Sequence, residues 1–199
     1  MIVDIFETDK KYDVIYADPP WKYDDRLAMK GVSGMIRGAE SFYNTMSLQE
    51  IKELPIAEIS SRNAILFMWI TMPFLDKAFE VMDAWGFKYK TCGFCWIKKT
   101  KTGKNHLGMG HYTRGNAELC LIGIKNKRPE LQTRGMSQVV ESEIRKHSQK
   151  PDEVREKIVE LCGDIPRIEL FARGQFDGWD AWGLEAQGGK NHTPVPDNF

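Results

Sequence analysis

The sequence predicts an α/β fold, because short apolar runs typical of buried strands alternate with stretches of helical periodicity. The chain has 199 residues, of which 42% are hydrophobic and 28% charged. This balance is typical of a globular protein with one core. Twenty-eight Lys and Arg residues offset 28 Asp and Glu residues. This excludes a generally basic nucleic-acid-binding protein but leaves room for a local basic groove.

Strands and helices alternate along the chain in a definite order. The predicted strands are the apolar runs 14–17, 64–70, 89–97, 118–124 and 168–171. The predicted helices are 47–54, 73–85 and 151–162. Ser47 and Glu50 have the spacing of a capping box at the first helix. Proline begins each of the other two helices, and glycine follows each of them.

In an open α/β sheet, ligands bind beyond the carboxyl ends of the strands. The residues that follow Ala17 and Phe171 are therefore the first candidates for chemistry. The segments 22–42 and 98–116 are long irregular stretches, and loops of this length are often functional. We expect residues 1–186 to form one domain and residues 187–199 to form a disordered tail.

Asp18, Pro19, Pro20 and Trp21 follow the first strand directly. Two prolines make the segment stiff and remove two backbone donors, which predicts carbonyls free of local turns. A carboxylate, a carbonyl and an indole face would suit a planar aromatic amine such as the 6-amino group of adenine. The alternative is a tight strand-exit turn with a tryptophan in the core.

Residues 12–21, YDVIYADPPW, resemble the opening motif of the adenine-N6 methyltransferase family. The catalytic subunit of the eukaryotic messenger-RNA adenosine methyltransferase typifies this family, and bacterial and phage members also occur. The similarity continues in the family's order over about residues 11–186. The further motifs are YNTMS at 43–47, NAE at 116–118, HSQKPDE at 147–153, ELFAR at 169–173 and GWDAWG at 178–183.

The resemblance implies a Rossmann-like SAM-dependent methyltransferase fold that is circularly permuted, with the D-P-P-W strand first and the cofactor strand last. The cofactor would be S-adenosyl-L-methionine (SAM), although the chain contains no GxGxxG fingerprint. The length resembles that of a single-domain bacterial or phage member.

The resemblance also implies roles for individual residues. Asp18 and the Pro19 carbonyl would hold the target amine, with Pro20 stiffening the segment. Trp21 would stack on the base or form a wall beside it. Tyr43 would close the pocket, and Asp18 would also lie near the SAM ammonium group.

By the same resemblance, other residues would bind the cofactor. Lys150 would pair with the SAM carboxylate, and Gln175 would reach it as well. Arg173, with Glu169 close by, would bind the ribose, and Phe171 would pack near the cofactor. After the W-G, where the family usually has an asparagine, this chain has Leu184 followed by Glu185, so one adenosine contact would be weaker or made by the backbone. The alternative for Lys150 is a solvated lysine at the start of a helix. For Arg173 it is a surface ion pair, and for Phe171 it is a place in the core.

A substrate polymer is expected to bind basic residues. Lys98, Lys99 and Lys101 (with Lys104) would follow phosphates along the long loop, and residues 125–128 would extend the groove. The alternative is a solvated basic loop. The target base must be flipped from a duplex or lie in a single strand.

DNA is favoured over RNA, and an RNA methyltransferase is the first alternative. A catalytically silent partner subunit is a weaker one, because such subunits lose the Asp and Trp of the motif. A small-molecule methyltransferase is a third. A homodimer or a partner subunit stays open.

Cys92 and Cys95 form a single CxxC within a predicted strand, which favours a structural role over a metal site. The N-terminus lacks an apolar signal-peptide core, and the longest apolar run, 64–75, is too short to cross a bilayer. We therefore expect a soluble, cytoplasmic protein with no membrane partner.

Overall fold

The computed structural model describes residues 1–22, 45–110, 112–145, 149–183 and 186. Within these residues, seven strands form one mixed sheet in the order β5-β3-β4-β2-β1-β6-β7. The strands are β1 (Tyr12–Ala17), β2 (Ser60–Ile70), β3 (Lys88–Lys99), β4 (Ala117–Lys125), β5 (Val139–Glu143), β6 (Arg167–Leu170) and β7 (Asp180–Trp182). The helices are α1 (Leu48–Lys52), α2 (Ile56–Ile59), α3 (Leu75–Ala84) and α4 (Glu153–Cys162).

The centre of the sheet is parallel. β1 pairs with β2 on one side and with β6 on the other, so that Ile15 lies opposite Leu66 and Ile168. Because both faces of these strands are buried, β1 and β2 each contain a continuous apolar run. β6 alternates instead, and it buries Arg167 and Glu169 together with its apolar residues. The strand ends at Asp18 and Phe171, far apart in sequence, are therefore neighbours in the sheet.

β4 runs antiparallel to both β2 and β3. Its first residues therefore lie beside the carboxyl end of β2, with Leu119 opposite Ile70. Lys125, near the end of β4, lies at the opposite end of β2, where it is paired with Ala64. The expectation that residues 125–128 extend the phosphate groove of the long loop is wrong, because β4 runs away from Lys98 and Lys99 and carries Lys125 to the opposite ends of the strands.

Helices cover both faces of the sheet. One core cluster packs side chains of α1, α2 and α3 against β1 and β2, and it includes the fully buried Trp85. The indole Nε1 of Trp85 donates a hydrogen bond to the Ile51 carbonyl at 2.8 Å, so its one polar atom is satisfied. The second cluster packs α4 against the other face.

Most predicted elements are confirmed, with bounds that differ by a few residues. The capping box is present: the Glu50 amide donates to Ser47 Oγ at 3.2 Å, and the Ser47 amide donates to Glu50 Oε2 at 2.6 Å. The sequence did not predict α2, β5 or β7. Segment 23–42 and the predicted tail lie outside the described residues. Among the described helices, none has the length and apolar character needed to span a membrane.

Candidate active site

One edge of the sheet gathers the residues singled out from the sequence. β1, β2, β3, β6 and β7 all end there, and β4 begins there. We call it the carboxyl edge. Asp18 leaves β1 at this edge, Phe171 leaves β6 beside it, and Glu118 lies at the start of β4. This is the position at which α/β sheets bind ligands.

The D-P-P-W segment is tied down by its own backbone. The Pro19 carbonyl accepts a hydrogen bond from the Trp21 amide at 2.9 Å, and the Pro20 carbonyl accepts one from the Met46 amide at 3.0 Å. The prediction that these carbonyls stay free of local turns is therefore wrong for Pro19, whereas the donor to Pro20 is the distant Met46 amide. Proline removes donors, but the next amide in the chain is close enough to supply one. A carbonyl oxygen has two lone pairs, so Pro19 can still accept a second hydrogen bond.

Trp21 faces the core and is only 7% exposed. Its ring stacks on Phe74, with centroids 5.6 Å apart and planes inclined by 15°. Of the two predicted roles, this geometry favours a wall beside the base over an open stacking surface. The alternative of a core tryptophan at a strand exit also fits this packing.

A chain of alternating charges crosses the carboxyl edge. Lys150 Nζ lies 2.7 Å from Asp18 Oδ2 and 3.3 Å from Glu118 Oε2. Lys98 Nζ lies 2.5 Å from Glu118 Oε1. We call these four side chains the charge chain. Lys150 also lies over the Trp69 ring, 5.7 Å from its centroid.

Burial and pairing set the charges of this chain. Burial raises the pKa of Asp18 above its usual value, although Lys150 opposes the shift. Burial alone would lower the pKa of Lys150, but Asp18 and Glu118 outweigh burial and leave it raised. Burial would likewise raise the pKa of Glu118, yet Lys150 and Lys98 leave it lowered. Lys150 is therefore charged at neutral pH. Of its two carboxylate partners, Asp18 is the more accessible to solvent, with a side-chain exposure of 24% against 12% for Glu118.

Glu169 belongs to a second ionic cluster, on the α4 side of the sheet. Arg155 Nε donates to Glu169 Oε2 at 2.6 Å, and Nη2 donates to Oε1 at 2.7 Å. The third nitrogen of Arg155 donates to Asp152 Oδ1 at 2.6 Å, and the other Asp152 oxygen pairs with Arg145. Arg145 also donates to the Lys150 carbonyl at 2.9 Å. This cluster, which we call the α4 clamp, fixes the backbone that carries Lys150.

The turn after β6 carries the remaining predicted cofactor residues. Phe171 has a φ of 58°, the left-handed region that a bulky residue rarely adopts. Its ring packs edge-on against Trp182, with centroids 5.4 Å apart. Arg173 lies near enough to Asp18 for its charge to lower the carboxyl pKa. Gln175 is exposed.

Tight packing beyond β7 holds this turn in place. A side-chain carbon on Gly183 would lie 2.5 Å from the Ala172 amide nitrogen, so the position accepts only glycine. The Ala172 amide donates to the Trp182 carbonyl at 2.9 Å. The predicted residues Tyr43, Leu184 and Glu185 lie outside the described residues.

The three predicted phosphate-binding lysines have different surroundings. Lys98 belongs to the charge chain, and Lys99 pairs with Glu141 at 2.8 Å. Lys101 is exposed in the turn after β3. Their role toward a polymer stays a prediction, for which Lys101 has the most accessible position.

Sequence reasoning missed two side chains that organise the site, Glu118 and Arg155. Glu118 was noted only as part of the NAE motif, and a carboxylate just before a buried strand is the signal that could have marked it. Arg155 is on the buried face of α4, where an arginine needs a partner. In the CxxC, burial raises the pKa of both Cys92 and Cys95.

Comparison with known proteins finds relatives that match most of the chain. The MT-A70 family model matches residues 12–185. The chain is 36% identical over 198 residues to the type II methyltransferase M.MunI from a Mycoplasma species, a match that covers 94% of this chain and 82% of that protein.

More distant relatives are N(6)-adenosine-methyltransferases. The chain is 28% identical over 170 residues to the catalytic subunit METTL3 of Homo sapiens, covering 82% of this chain and 26% of that protein. It is 27% identical over 185 residues to an MT-A70-like relative from Arabidopsis thaliana, covering 89% and 24%. The chain thus spans about a quarter of the length of these relatives.

Proposed function

The chain belongs to the MT-A70 family of methyltransferases, and we propose that it transfers a methyl group from SAM to the 6-amino group of adenine in DNA. The observation that carries the proposal is Asp18 at the carboxyl end of β1, paired with the buried Lys150, which also pairs with Glu118 at the start of β4. We assign the sheet to the Rossmann-like methyltransferase class, circularly permuted, with residues 1–186 as its catalytic domain.

The side chains at the carboxyl edge fit SAM. Its amino-acid end carries an ammonium and a carboxylate, and the Asp18–Lys150 pair offers one partner of opposite charge to each. Arg173 and Glu169 would bind the ribose. Both Glu169 oxygens bind Arg155, yet a carboxylate has about four lone-pair sites and can still accept hydroxyl donors. When bound, SAM supplies a sulfonium methyl group that is already electrophilic.

Asp18 and Pro19 would orient the adenine amine. The amine has two N–H donors, and the Asp18 carboxylate and the second lone pair of the Pro19 carbonyl are two acceptors on one stiff segment. Accepting both hydrogens directs the nitrogen lone pair out of conjugation with the ring and offsets the positive charge that the nitrogen gains. Once it carries the methyl group, the nitrogen is cationic and acidic and would release one proton to solvent, so a strong protein base is unnecessary. Trp21 and Tyr43 would enclose the base.

DNA is the favoured polymer because the relative matched over most of both lengths is a type II methyltransferase, a class that acts on DNA. RNA is the second candidate, since the more distant relatives are N(6)-adenosine-methyltransferases. Lys98, Lys99 and Lys101 are proposed to lie toward the phosphates.

The test is transfer of labelled methyl from SAM to single- and double-stranded DNA and RNA offered in parallel. Digestion of the product to nucleosides identifies the acceptor atom. We expect labelled N6-methyladenine in DNA and none with Asp18→Asn, which keeps the side-chain shape but removes the charge. Label in RNA alone would show that RNA, rather than DNA, is the substrate. Label on no adenine would overturn the proposed function.

A further inference from the structure

The loop from β3 to β4 ends in a tip that exposes apolar side chains. Leu107, Met109 and Tyr112 are 66%, 88% and 102% exposed, so Tyr112 is as accessible as in an isolated peptide. We call residues 107–110 and 112–115 the loop tip. Exposed apolar side chains grouped in this way mark a surface that is covered when a partner binds.

The loop tip has a shaped backbone. The Gly108 amide donates to the Gly115 carbonyl at 3.0 Å, and the Gly115 amide donates to the Met109 carbonyl at 3.3 Å. A side-chain carbon on Gly108 would lie 2.5 Å from the Gly115 oxygen, and one on Gly110 would lie 1.9 Å from the Thr113 oxygen. Glycine is therefore required for the backbone to fold back on itself, and this fold points Met109 and Tyr112 outward.

The charges around the loop tip are those that attract a polyanion. Residues 98–116 contain five Lys or Arg residues and no Asp or Glu. Lys101, Lys104 and Arg114 are exposed, with no ion pair to the described part of the chain. A second copy of this chain would bring the same cations face to face and would be repelled. Nucleic acid has the opposite charge and an apolar interior of stacked bases.

The loop rises directly from the active site. Its two roots are Lys98 and Glu118, which pair with each other, and Glu118 is joined to Asp18 through Lys150. Two further backbone hydrogen bonds close the root: Lys98 to the Asn116 carbonyl at 2.9 Å and His106 to the Lys98 carbonyl at 2.8 Å. The loop that carries the tip therefore starts and ends on the side of the sheet that holds Asp18, and a duplex held by the loop cations would lie on that side.

We propose that Met109 and Tyr112 form a wedge that enters duplex DNA at the target base pair and fills the space vacated by the flipped adenine. The inference rests on the proposed function and adds a device for duplex opening. Apolar side chains inserted between base steps unstack them, and extrusion of a base from the stack costs energy that such contacts offset. The wedge is needed only where the adenine starts inside a duplex.

The experiment compares three substrates that contain the same adenine, one that the wild-type enzyme methylates: a paired duplex, the duplex with an abasic site opposite that adenine, and the single strand. The variant is Met109→Ser/Tyr112→Ser. The matched control is Tyr89→Ser, which replaces another exposed tyrosine at the far end of β3. Circular dichroism establishes that both variants fold, and the fluorescence of 2-aminopurine at the target position reports flipping.

We expect the wedge variant to lose about 10-fold or more in kcat/KM on the paired duplex, since tenfold in rate corresponds to only part of the unstacking cost. Its rate on the abasic duplex and the single strand should stay within about 3-fold of wild type, and the flipping signal should fall. Equal loss on all three substrates would show a general binding surface and overturn the wedge. The wedge is also overturned if the wild-type enzyme methylates only single strands, a result that leaves the proposed function intact.

Sedimentation velocity tests the competing occupant. If the wild type is a dimer and the wedge variant a monomer, the loop tip is an interface between copies and the wedge is overturned. If the wild type methylates no adenine in any polymer, the proposed function fails, and the wedge fails with it.

Discussion

Arg155→Met removes the centre of the α4 clamp and leaves Glu169 buried without its partner. The two side chains are 10% and 8% exposed and share a bidentate pair. Breaking such a pair from one side costs about 3–5 kcal/mol, because the remaining charge is desolvated and unpaired. The guanidinium also lies 3.6 Å from the Phe176 ring centroid, and this stacking is lost as well.

The double variant Arg155→Met/Glu169→Leu supplies the control. Replacing both partners with apolar side chains removes the unpaired charge, and such exchanges are often neutral or stabilising by about 1–4 kcal/mol. We therefore expect the double variant to recover most of the stability that the single variant loses. Urea unfolding with linear extrapolation measures both, and an unchanged slope shows that the unfolded state is unaffected.

The pH dependence adds a second readout. Burial raises the pKa of Glu169, while Arg155 opposes the shift. Without Arg155, the pKa of Glu169 in the folded state rises further above its value in the unfolded chain. The folded state then loses stability as the pH rises from the unfolded pKa through the folded pKa, and it regains that stability as the pH falls. The gap between Arg155→Met and wild type should narrow as the pH is lowered from 7 toward 5. A loss below about 1 kcal/mol at pH 7, or a double variant as unstable as the single one, would refute the clamp.

Three further outcomes are expected. Lys150→Met removes a cation that lowers the Asp18 pKa, so the acid limb of the pH profile of kcat/KM should move to higher pH. Lys150→Arg should leave that limb nearly in place, and an unmoved limb in Lys150→Met would contradict the charge chain. Ser47→Ala deletes the cap of α1 and should cost about 1 kcal/mol in urea unfolding, whereas no measurable cost would show that the capping box contributes nothing. Gly183→Ala forces a carbon into backbone and should cost about 1–3 kcal/mol; a variant with wild-type stability would mean that the β6–β7 end relaxes freely.

Local signals predicted local structure well. The Ser47–Glu50 capping box and the apolar runs of β1 and β2 were recognised because their information lies within a few residues. β7, Asp180–Trp182, was missed because three residues carry no periodicity. β5, Val139–Glu143, was missed because only Val140 of its five side chains is buried, so its apolar signal is weak.

The site was predicted in part, for a physical reason. Asp18 and Lys150 were found through motifs, yet their 2.7 Å pairing spans 132 positions and has no local signature. The antiparallel direction of β4, which turns Lys125 away from the site and brings Glu118 into it, depends on a hairpin rather than on composition. The position of Glu169 in a buried ion pair depends on Arg155, fourteen residues earlier.

The central claim is that Asp18 acts on the adenine amine, and the measurement that tests it most directly is turnover against SAM affinity in Asp18→Ala. A well-placed charge-stabilising group contributes about 100- to 1000-fold to kcat. We expect a loss of that size in single-turnover methyl transfer, with a far smaller rise in the SAM dissociation constant measured by calorimetry. Equal losses in both would show that Asp18 is chiefly a cofactor ligand, and the account of the amine would be wrong.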